Sequence, residues 1–225
     1  MRAAFFLTSI ILKLFTTEPH IINSTTEYIR SVHISYNKKM VDLRKINGIK
    51  LDLKYNSDQN FMHQKLYNGA TSTYLRIGVY QALIKVQKEL SEKKLGLVIW
   101  DAYRPFAVTQ MMWDKIHDER YVANPKTGSG HNKGIAVDLT IIDNRGNLLP
   151  MGTDFDNFTD TAHSDFTHLN EYVIHNRKLL REVMEKYGFK NLSTEWWHFY
   201  FDDNNEYEVL NLSFYQLKRA NKSLH

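Results

Sequence analysis

The feature that most constrains the fold of this chain is a carboxylate inside an apolar segment. Residues 129–140 read SGHNKGIAVDLT, and residues 135–142 have the apolar character of a buried strand, with Asp138 between Val137 and Leu139. A carboxylate that leaves water loses its hydration and must find a partner. We therefore expect a cation beside Asp138, which a lysine, an arginine or a metal ion could supply.

The composition is that of one globular domain. The 225 residues are 43% hydrophobic and 13% aromatic, and a net charge of +4 comes from 29 basic and 25 acidic side chains spread along the chain. Disordered chains have fewer aromatic residues and a higher net charge. A basic stripe with interleaved aromatic residues, which would indicate nucleic-acid binding, does not occur. The locally basic segment 218–222 is interpreted as a solvated tail.

The chain contains no cysteine. Disulfides, thiolate nucleophiles and cysteine-ligated zinc sites are therefore excluded. Any metal ion would be held by His, Asp or Glu, which suits a catalytic site better than a closed structural one. The H-E-x-x-H helix motif is also absent, which excludes the zincin class of metallopeptidases.

The N-terminus resembles a secretory signal. Arg2 precedes an apolar stretch over residues 3–12 that is too short to span a membrane. Lys13 interrupts this stretch, and no small-x-small cleavage site follows it. We expect a signal-like leader over residues 1–24 and a folded domain over residues 25–225 that is not stably inserted in a membrane. A cytoplasmic protein with an ill-defined leader is the alternative.

Hydrophobic periodicity predicts a mixture of helices and strands. Apolar residues at 79, 83, 86 and 90 recur at steps of four, three and four, which is typical of an amphipathic helix. Helices are expected over residues 75–90, 105–120 and 171–187, and strands over residues 51–55, 95–100, 135–142 and 199–201. Residues 20–50 are expected to form short strands and loops. Because helices and strands do not alternate strictly, we predict one α+β domain with a mainly antiparallel sheet flanked by helices.

Two distant segments contain the side chains that suit metal chemistry. His131, Asp138 and His198 would make a three-ligand zinc set, with the fourth position left for water or substrate. Zinc lowers the pKa of its bound water from near 16 to roughly 7, and a nearby carboxylate such as Glu195 would move the proton. Residues i and i+3 of a straight strand face opposite sides. We therefore expect Glu195 on a bend just before the strand that carries His198.

Each of these residues also has a simpler interpretation. His131 could be an ordinary loop histidine, and Asp138 could pair with Arg104 or Lys133. Glu195 could be a surface charge. An aspartate that interrupts a strand, together with a separate Glu-x-x-His, is nevertheless hard to reconcile with packing alone and favours the zinc site.

These segments resemble a known signature. The pattern S-x-H-x-x-G-x-A-x-D from position 129 and E-W-W-H from position 195 are similar to motifs of the D-alanyl-D-alanine dipeptidase family of zinc peptidases. The resemblance extends to L-K-Y from position 53, W-D-A-Y-R-P from position 100 and M-G-T-D-F-D from position 151. It covers about residues 50–200, with motif order and spacing intact. It implies an α+β fold, which the family shares with cell-wall DD- and LD-carboxypeptidases.

The resemblance also implies roles for individual side chains. It implies one zinc ion per chain, held by His131, Asp138 and His198. Glu195 would be the catalytic base, and Arg104 would stabilise the transition state, because a guanidinium can help to hold the charge of a tetrahedral intermediate. Arg104 could instead form a structural ion pair with Asp101, and Asp101 could do both by orienting the guanidinium.

A dipeptide substrate carries an ammonium and a carboxylate close together, so a closed pocket that matches both charges can select length. By resemblance, Tyr55 and Asp156 are candidates for the ammonium end and Ser129 for the carboxylate side, although Asp156 could equally be a turn or capping residue. Gly130 adds loop freedom beside Ser129. Three histidines match no ligand position and are interpreted as structural or surface residues: His163, His168 and His175.

The function implied is zinc-dependent hydrolysis of D-alanyl-D-alanine in cell-wall peptide turnover. The alternatives are a DD- or LD-carboxypeptidase acting on peptidoglycan stems, or a zinc-containing peptidoglycan-binding module without turnover. The leader implies the bacterial cell envelope or periplasm, with the cytoplasm as the alternative. The partner expected is a small dipeptide, with no nucleic acid, and no oligomeric state is predicted.

Overall fold

The computed structural model describes residues 18–224. Most of the predicted leader, residues 1–17, lies outside the described residues. The strands are β1 (Ile21–Ile22), β2 (Met40–Asp42), β3 (Lys50–Leu51), β4 (Tyr74–Arg76), β5 (Leu95–Asp101), β6 (Ala136–Asp143), β7 (Phe189–Leu192), β8 (Glu195–Phe201) and β9 (Val209–Leu210). The helices are α1 (Thr25–Ile34), α2 (Ile77–Glu92), α3 (Phe106–Ile116), α4 (Gly130–Lys133), α5 (Glu171–Lys186) and α6 (Phe214–Lys222). None of these helices has the length and hydropathy needed to cross a membrane.

A five-stranded sheet forms the centre of the domain, in the spatial order β3-β5-β6-β8-β7. Neighbouring strands are antiparallel, except that β3 lies parallel to β5. Two small pairs, β1 with β9 and β2 with β4, lie outside this sheet. The architecture confirms the predicted α+β domain with a mainly antiparallel sheet flanked by helices.

The apolar sides of α2 and α5 contribute to the main core, which they share with the sheet. The four residues of α2 that define the predicted helical period are fully buried: Val79, Leu83, Val86 and Leu90. They belong to one cluster with Leu180 of α5 and with Val137, Leu139 and Ile141 of β6. Because side chains alternate along a strand, Asp138 faces the other side of the sheet. The costly carboxylate of the apolar run is therefore directed away from these three neighbours.

Several predicted elements are confirmed with shifted ends. Helix α3 begins after Pro105 and stops at Ile116, earlier than expected, because His117 adopts a left-handed conformation with φ of 49°. The strand predicted over residues 51–55 is wrong beyond Leu51, since Lys54–Asn56 forms a short 3₁₀ turn. The strands expected over residues 95–100, 135–142 and 199–201 are present in β5, β6 and β8.

Helix α1 lies where only strands and loops were expected. Its N-terminus is capped by Ser24, whose hydroxyl accepts a hydrogen bond from the N–H of Glu27 at 3.2 Å. A serine in this position satisfies one of the free N–H groups of the first turn. The cap and the β1–β9 pairing show that residues 21–24 are part of the folded unit. Where a leader would end remains a prediction.

The interpretation of residues 218–222 as a solvated tail is wrong, because they form the end of α6. This helix starts at a capping box, in which Ser213 and Gln216 bond each other's backbone N–H groups. Its apolar side buries Leu217 and Ala220, whereas its basic residues are exposed. The charges of residues 218–222 correctly indicated an exposed surface, but they did not reveal the buried apolar side of the helix.

Tyr103 connects the C-terminal segment to the centre of the fold. Its side chain is fully buried, and its hydroxyl accepts from the N–H of Leu212 at 2.9 Å and donates to the Leu212 carbonyl at 2.7 Å. Tyr103 immediately precedes Arg104. The C-terminal segment is therefore hydrogen-bonded to the neighbour of a predicted catalytic residue.

Candidate metal centre

Three adjacent strands carry polar side chains at the same level of the sheet. Asp138 of β6 pairs with Asp101 of β5 on one side and with His198 of β8 on the other. Directly opposed residues of antiparallel strands point to the same face. Strand register therefore brings Asp101, Asp138 and His198 into one row.

His131 reaches this row from the short helix α4. The hydroxyl of Ser129 accepts from the N–H of His131 at 3.1 Å, and the side-chain oxygen of Asn132 accepts from the N–H of Ser129 at 3.0 Å. These bonds fix the turn that carries His131. Its ring is buried, and its Nδ1 lies 2.7 Å from the carbonyl of Ala102. Because a carbonyl can only accept, Nδ1 carries the hydrogen and Nε2 presents a lone pair.

The donor atoms of His131, Asp138 and His198 converge. The Nε2 atom of His131 lies 3.2 Å from Nδ1 of His198 and 3.4 Å from Oδ2 of Asp138. Nδ1 of His198 lies 2.9 Å from Oδ1 of Asp138. Zinc bonds of about 2.0–2.2 Å in a tetrahedral arrangement place donor atoms about 3.3 Å apart. In both donor type and separation, this trio fits a zinc ion.

The electrostatics of the trio also favour a cation. Burial opposes ionisation of Asp138, but His131 and His198 hold the pKa of this carboxyl well below its usual range. The lone pair on Nε2 of His131 therefore lies close to an ionised carboxylate. Such an arrangement of acceptors is stabilised by a shared positive charge.

Glu195 and His198 reach one site because β8 is irregular. Leu192 of β7 pairs with Glu195, whereas the preceding residue, Asn191, pairs with Phe199. Three residues of β8 thus lie between positions that are adjacent in β7. The side-chain amide of Asn191 donates to the carbonyls of Glu195 at 3.2 Å and His198 at 2.9 Å, and so spans the bulge.

This bulge corrects the expected placement of Glu195. The residue is the first of β8, not part of a bend before the strand. Its Oε2 lies 3.7 Å from Nδ1 of His198, because the bulge lets residues three apart face the same side. Burial, together with the charges of Asp138 and Asp156, raises the pKa of the Glu195 carboxyl well above its usual range.

Arg104 is held beside the trio by Asp101. The Oδ2 atom of Asp101 accepts from Nε of Arg104 at 2.9 Å and lies 2.8 Å from its Nη2. Nη2 is also 3.8 Å from Oδ2 of Asp138. Tyr67 donates to the other oxygen of Asp101 at 2.6 Å. Asp101 therefore orients the guanidinium beside the trio, and the ion pair with Asp101 is present. The catalytic role of Arg104 stays a prediction.

The same pocket contains the predicted substrate-binding pair. The hydroxyl of Tyr55 donates to Oδ1 of Asp156 at 3.0 Å, and the other carboxylate oxygen has no hydrogen-bond partner among the described residues. Burial, reinforced by the charge of Asp138, raises the pKa of Asp156 to about 7. The pocket has a volume of about 200 Å³ and is also lined by Arg104 and Glu195.

Comparison with known proteins identifies the family. The peptidase M15 family model, described as D-Ala-D-Ala dipeptidase, matches residues 36–217. The chain belongs to this family. A D-alanyl-D-alanine dipeptidase of Escherichia coli (strain K12) is 34% identical over 178 residues, which cover 79% of this chain and 92% of the relative. One of Enterococcus faecium is 29% identical over 181 residues, which cover 70% of this chain and 88% of the relative.

Among solved structures, an LdcB LD-carboxypeptidase shares 16% sequence identity with this chain, with a TM-score of 0.44 over 81% of this chain and 78% of that chain. As a member of the D-Ala-D-Ala dipeptidase family, the chain is a zinc-dependent metallopeptidase. Among the residues that the structure describes, His131, Asp138 and His198 form the donor group that suits this metal.

Ser129 lines the pocket of this dipeptidase-family chain, as predicted, but its hydroxyl also caps α4. The loop freedom expected from Gly130 does not apply. A Cβ at this position would lie 2.9 Å from the Cβ of Ala136, so the glycine permits close packing of α4 on β6. The pose of Ser129 is therefore fixed by the turn. Of the three histidines set aside, His163, His168 and His175, none lines the pocket.

Sequence patterns missed the aromatic rim of the pocket, which consists of Phe61, Tyr121 and Phe158. Tyr121 stacks on Phe158 with ring centroids 4.7 Å apart, and Phe61 meets Phe158 at 5.2 Å. The three residues come from distant loops without periodic pattern. Sequence patterns also missed Tyr67 and Asn191. Each acts through hydrogen bonds to residues of another segment, which no local pattern shows.

Proposed function

We propose that this protein is a zinc-dependent dipeptidase that hydrolyses D-alanyl-D-alanine. The observation that carries the proposal is the convergence of a zinc-fitting trio, a buried carboxylate and an oriented guanidinium on one small pocket, in a chain of this family. Each feature has a place in peptide hydrolysis. A binding module would need neither the buried Glu195 nor the oriented Arg104.

His131, Asp138 and His198 would hold the zinc ion. When bound, zinc supplies Lewis acidity, which polarises a carbonyl and makes hydroxide available at neutral pH. The chain contributes the orientation of the donors. The carbonyl of Ala102 fixes the His131 ring at 2.7 Å, and the pairing of β6 with β8 fixes Asp138 against His198. Ligands held in this way keep the site formed before substrate enters.

Glu195 is proposed to move the proton. Its carboxylate lies beside the trio without being part of it, with Oε2 3.7 Å from Nδ1 of His198, where it can take a proton from the attacking water. It can then deliver that proton to the nitrogen of the leaving D-alanine. General acid–base groups work best when their pKa lies near the working pH.

Arg104 is proposed to stabilise the oxyanion that forms when the scissile carbonyl is attacked. Asp101 occupies Nε and Nη2 of the guanidinium. The guanidinium lines the pocket, and its Nη2 lies 3.8 Å from Oδ2 of Asp138. A cation held rigidly near the developing charge need not reorganise during the reaction.

The pocket also accounts for selection of a short substrate. Its volume of about 200 Å³ is below the roughly 300–1,000 Å³ of pockets that hold drug-sized ligands. Asp156, with one free carboxylate oxygen, is proposed to receive the substrate ammonium beside Tyr55. The aromatic rim lines the same pocket. A longer peptide would bring neither a charge for Asp156 nor a shape that fits.

The proposal is tested by offering free D-alanyl-D-alanine and a pentapeptide stem ending in D-alanyl-D-alanine side by side. We expect the dipeptide to be cleaved with a kcat/KM at least about 100-fold higher, because a half-buried Asp156 without an ammonium partner penalises the longer chain. Release of D-alanine from each substrate is the measurement. Faster cleavage of the pentapeptide would indicate a carboxypeptidase. Zinc binding without cleavage of either substrate would indicate a binding module.

The ionisation of Asp156 predicts a pH dependence of substrate affinity. With a pKa of about 7, the carboxyl ionises as pH rises, and only the ionised form attracts an ammonium. We expect KM for D-alanyl-D-alanine to fall by about tenfold from pH 5.5 to pH 7, a range in which a peptide ammonium stays protonated. Kinetics at constant zinc occupancy measure this effect.

The variant Asp156→Asn is expected to have a high KM that no longer varies over this pH range. Asp154→Asn provides the matched control, because Asp154 is exposed two residues away and does not line the catalytic pocket. A pH-independent KM in the wild-type protein, or an unchanged slope in Asp156→Asn, would contradict the assignment of Asp156 to the ammonium end.

We further propose that the protein works in the bacterial cell envelope or periplasm, in cell-wall peptide turnover. Support for the location comes from the signal-like composition of the N-terminus, which lies outside the described residues. Fractionation of expressing cells would test the location, and recovery of the protein only from the cytoplasm would refute it.

A further inference from the structure

Arg177 is a buried cation without an acidic partner. It projects from α5, is 8% exposed, and forms no ion pair among the described residues. Burial lowers the pKa of its guanidinium to about 10. Removing a cation from water is costly unless its N–H groups find acceptors. The N–H groups of Arg177 must therefore be satisfied by acceptors within the fold.

All three donor positions of Arg177 are used on backbone carbonyls of one segment. Nε donates to Met151 at 2.7 Å, Nη2 to Thr161 at 3.0 Å and Nη1 to His163 at 3.1 Å. We call residues 151–163 the Asp156 loop, because Asp156 lies midway between Met151 and Thr161 in the chain. One side chain thus fixes both ends of this loop.

The Asp156 loop needs such support because its backbone is strained. Asp156 has φ of 58°, which side-chain-bearing residues rarely adopt. Gly152 also has a positive φ, of 85°, and a Cβ there would lie 2.9 Å from Cγ1 of Val173. Thr153 accepts from Nε1 of Trp196 at 2.7 Å, and the Arg177 guanidinium lies 5.7 Å from the centre of the Trp196 ring. Arg177 and Trp196 together brace the loop against α5 and β8.

We propose that Arg177 is a positioning residue that sets affinity for the substrate ammonium by fixing the loop that carries Asp156. This inference rests on the proposed function, in which Asp156 receives that ammonium. Arg177 does not line the pocket and touches no reacting group. It acts through the backbone of residues 151–163. Its loss therefore affects substrate binding more than the chemical step or zinc content.

The variant Arg177→Lys tests this role, because it keeps the charge but cannot span three carbonyls with one ammonium. We expect KM for D-alanyl-D-alanine to rise about tenfold while kcat changes less than about threefold, since the loop shifts but the metal site does not. The ratio of kcat/KM for the free dipeptide to that for its N-acetylated form should fall by about the same factor as KM rises, because only the free dipeptide carries the ammonium. Zinc content should stay at the wild-type level. Lys178→Gln, an exposed change on the same helix, is the matched control and should leave KM unchanged.

A second variant keeps the test valid if Arg177→Lys does not fold. Gly152→Ala displaces the same loop by crowding and keeps the Arg177 charge, since the added Cβ would lie 2.9 Å from Val173 and 3.1 Å from Leu169, against only 3.5 Å from Nη2 of Arg177. We expect it to raise KM in the same way. Hydrogen exchange of the amides in residues 151–163 should be faster in either variant, and this readout does not depend on substrate.

The possible results distinguish a failure of the proposed dipeptidase function from a failure of the proposed role of Arg177. A wild-type protein that does not hydrolyse D-alanyl-D-alanine would overturn the proposed function. An active wild-type protein whose Arg177→Lys and Gly152→Ala variants keep KM, dipeptide preference and hydrogen exchange unchanged would overturn the role of Arg177 alone. A selective rise in KM with faster exchange in the loop would support it.

Discussion

Replacing Glu195 by glutamine is expected to lower kcat for D-alanyl-D-alanine by about 10³-fold, which is within the usual range for loss of a general acid–base group. The glutamine keeps the shape and burial of the side chain but cannot accept and return a proton. Zinc content should be unchanged, because Glu195 lies beside the donor trio and not within it. Steady-state kinetics with elemental analysis of the same preparation measure both quantities.

Glu119→Gln is the matched control for this variant. Glu119 lines the same pocket, but it is exposed and hydrogen-bonded to Asn124. The same chemical change at this position should leave kcat near the wild-type value. Equal turnover in Glu195→Gln and the wild-type protein would remove Glu195 from the mechanism. Loss of zinc from Glu195→Gln would instead make it a metal ligand.

The change His198→Ala should abolish zinc binding and, with it, activity. Two protein donors would remain, and the lone pair of His131 and the carboxylate of Asp138 would lose the third corner of their arrangement. When zinc binds only the native state and its free concentration is 100 times Kd, it raises the free energy of unfolding by about 2.7 kcal/mol. This contribution should disappear, so a chelator should lower the Tm of the wild-type protein and not that of the variant.

His175→Ala is the control for the loss of an imidazole, because His175 is an exposed residue of α5 far along the chain from the trio. It should keep wild-type zinc content and the chelator-sensitive Tm. Elemental analysis of the purified proteins decides the comparison. A His198→Ala protein that still binds one zinc ion per chain would show that the metal is held elsewhere.

How far the sequence predicts this site depends on the kind of interaction involved. Asp138 could be recognised because a carboxylate in an apolar strand violates a strong local rule, and its violation indicated a cation site. Helix α2 could be recognised because its period is regular over four buried residues. Both signals are local, and both are read from one segment at a time.

The remaining features depend on contacts between segments. Nothing near Glu195 indicates a bulge, because the bulge is defined by the pairing of β8 with β7 and by the side chain of Asn191. The sequence also gives no indication of the three hydrogen bonds of Arg177, because their acceptors are backbone carbonyls, which every residue has. Helix α6 was missed because the basic stretch 218–222 shows mainly the exposed side of the helix, and of the two buried residues Leu217 lies before this stretch and only Ala220 lies within it.

The hydrogen bonds of Tyr103 have a practical consequence for engineering this enzyme. A truncation that ends before Leu210 would remove all three backbone partners of the Tyr103 hydroxyl, which are the carbonyls of Leu210 and Leu212 and the N–H of Leu212, and would leave a buried phenol unsatisfied next to Arg104. Turnover would then be sensitive to shortening of the chain at a segment that does not line the pocket. Fusion partners are better attached after α6 than in place of it.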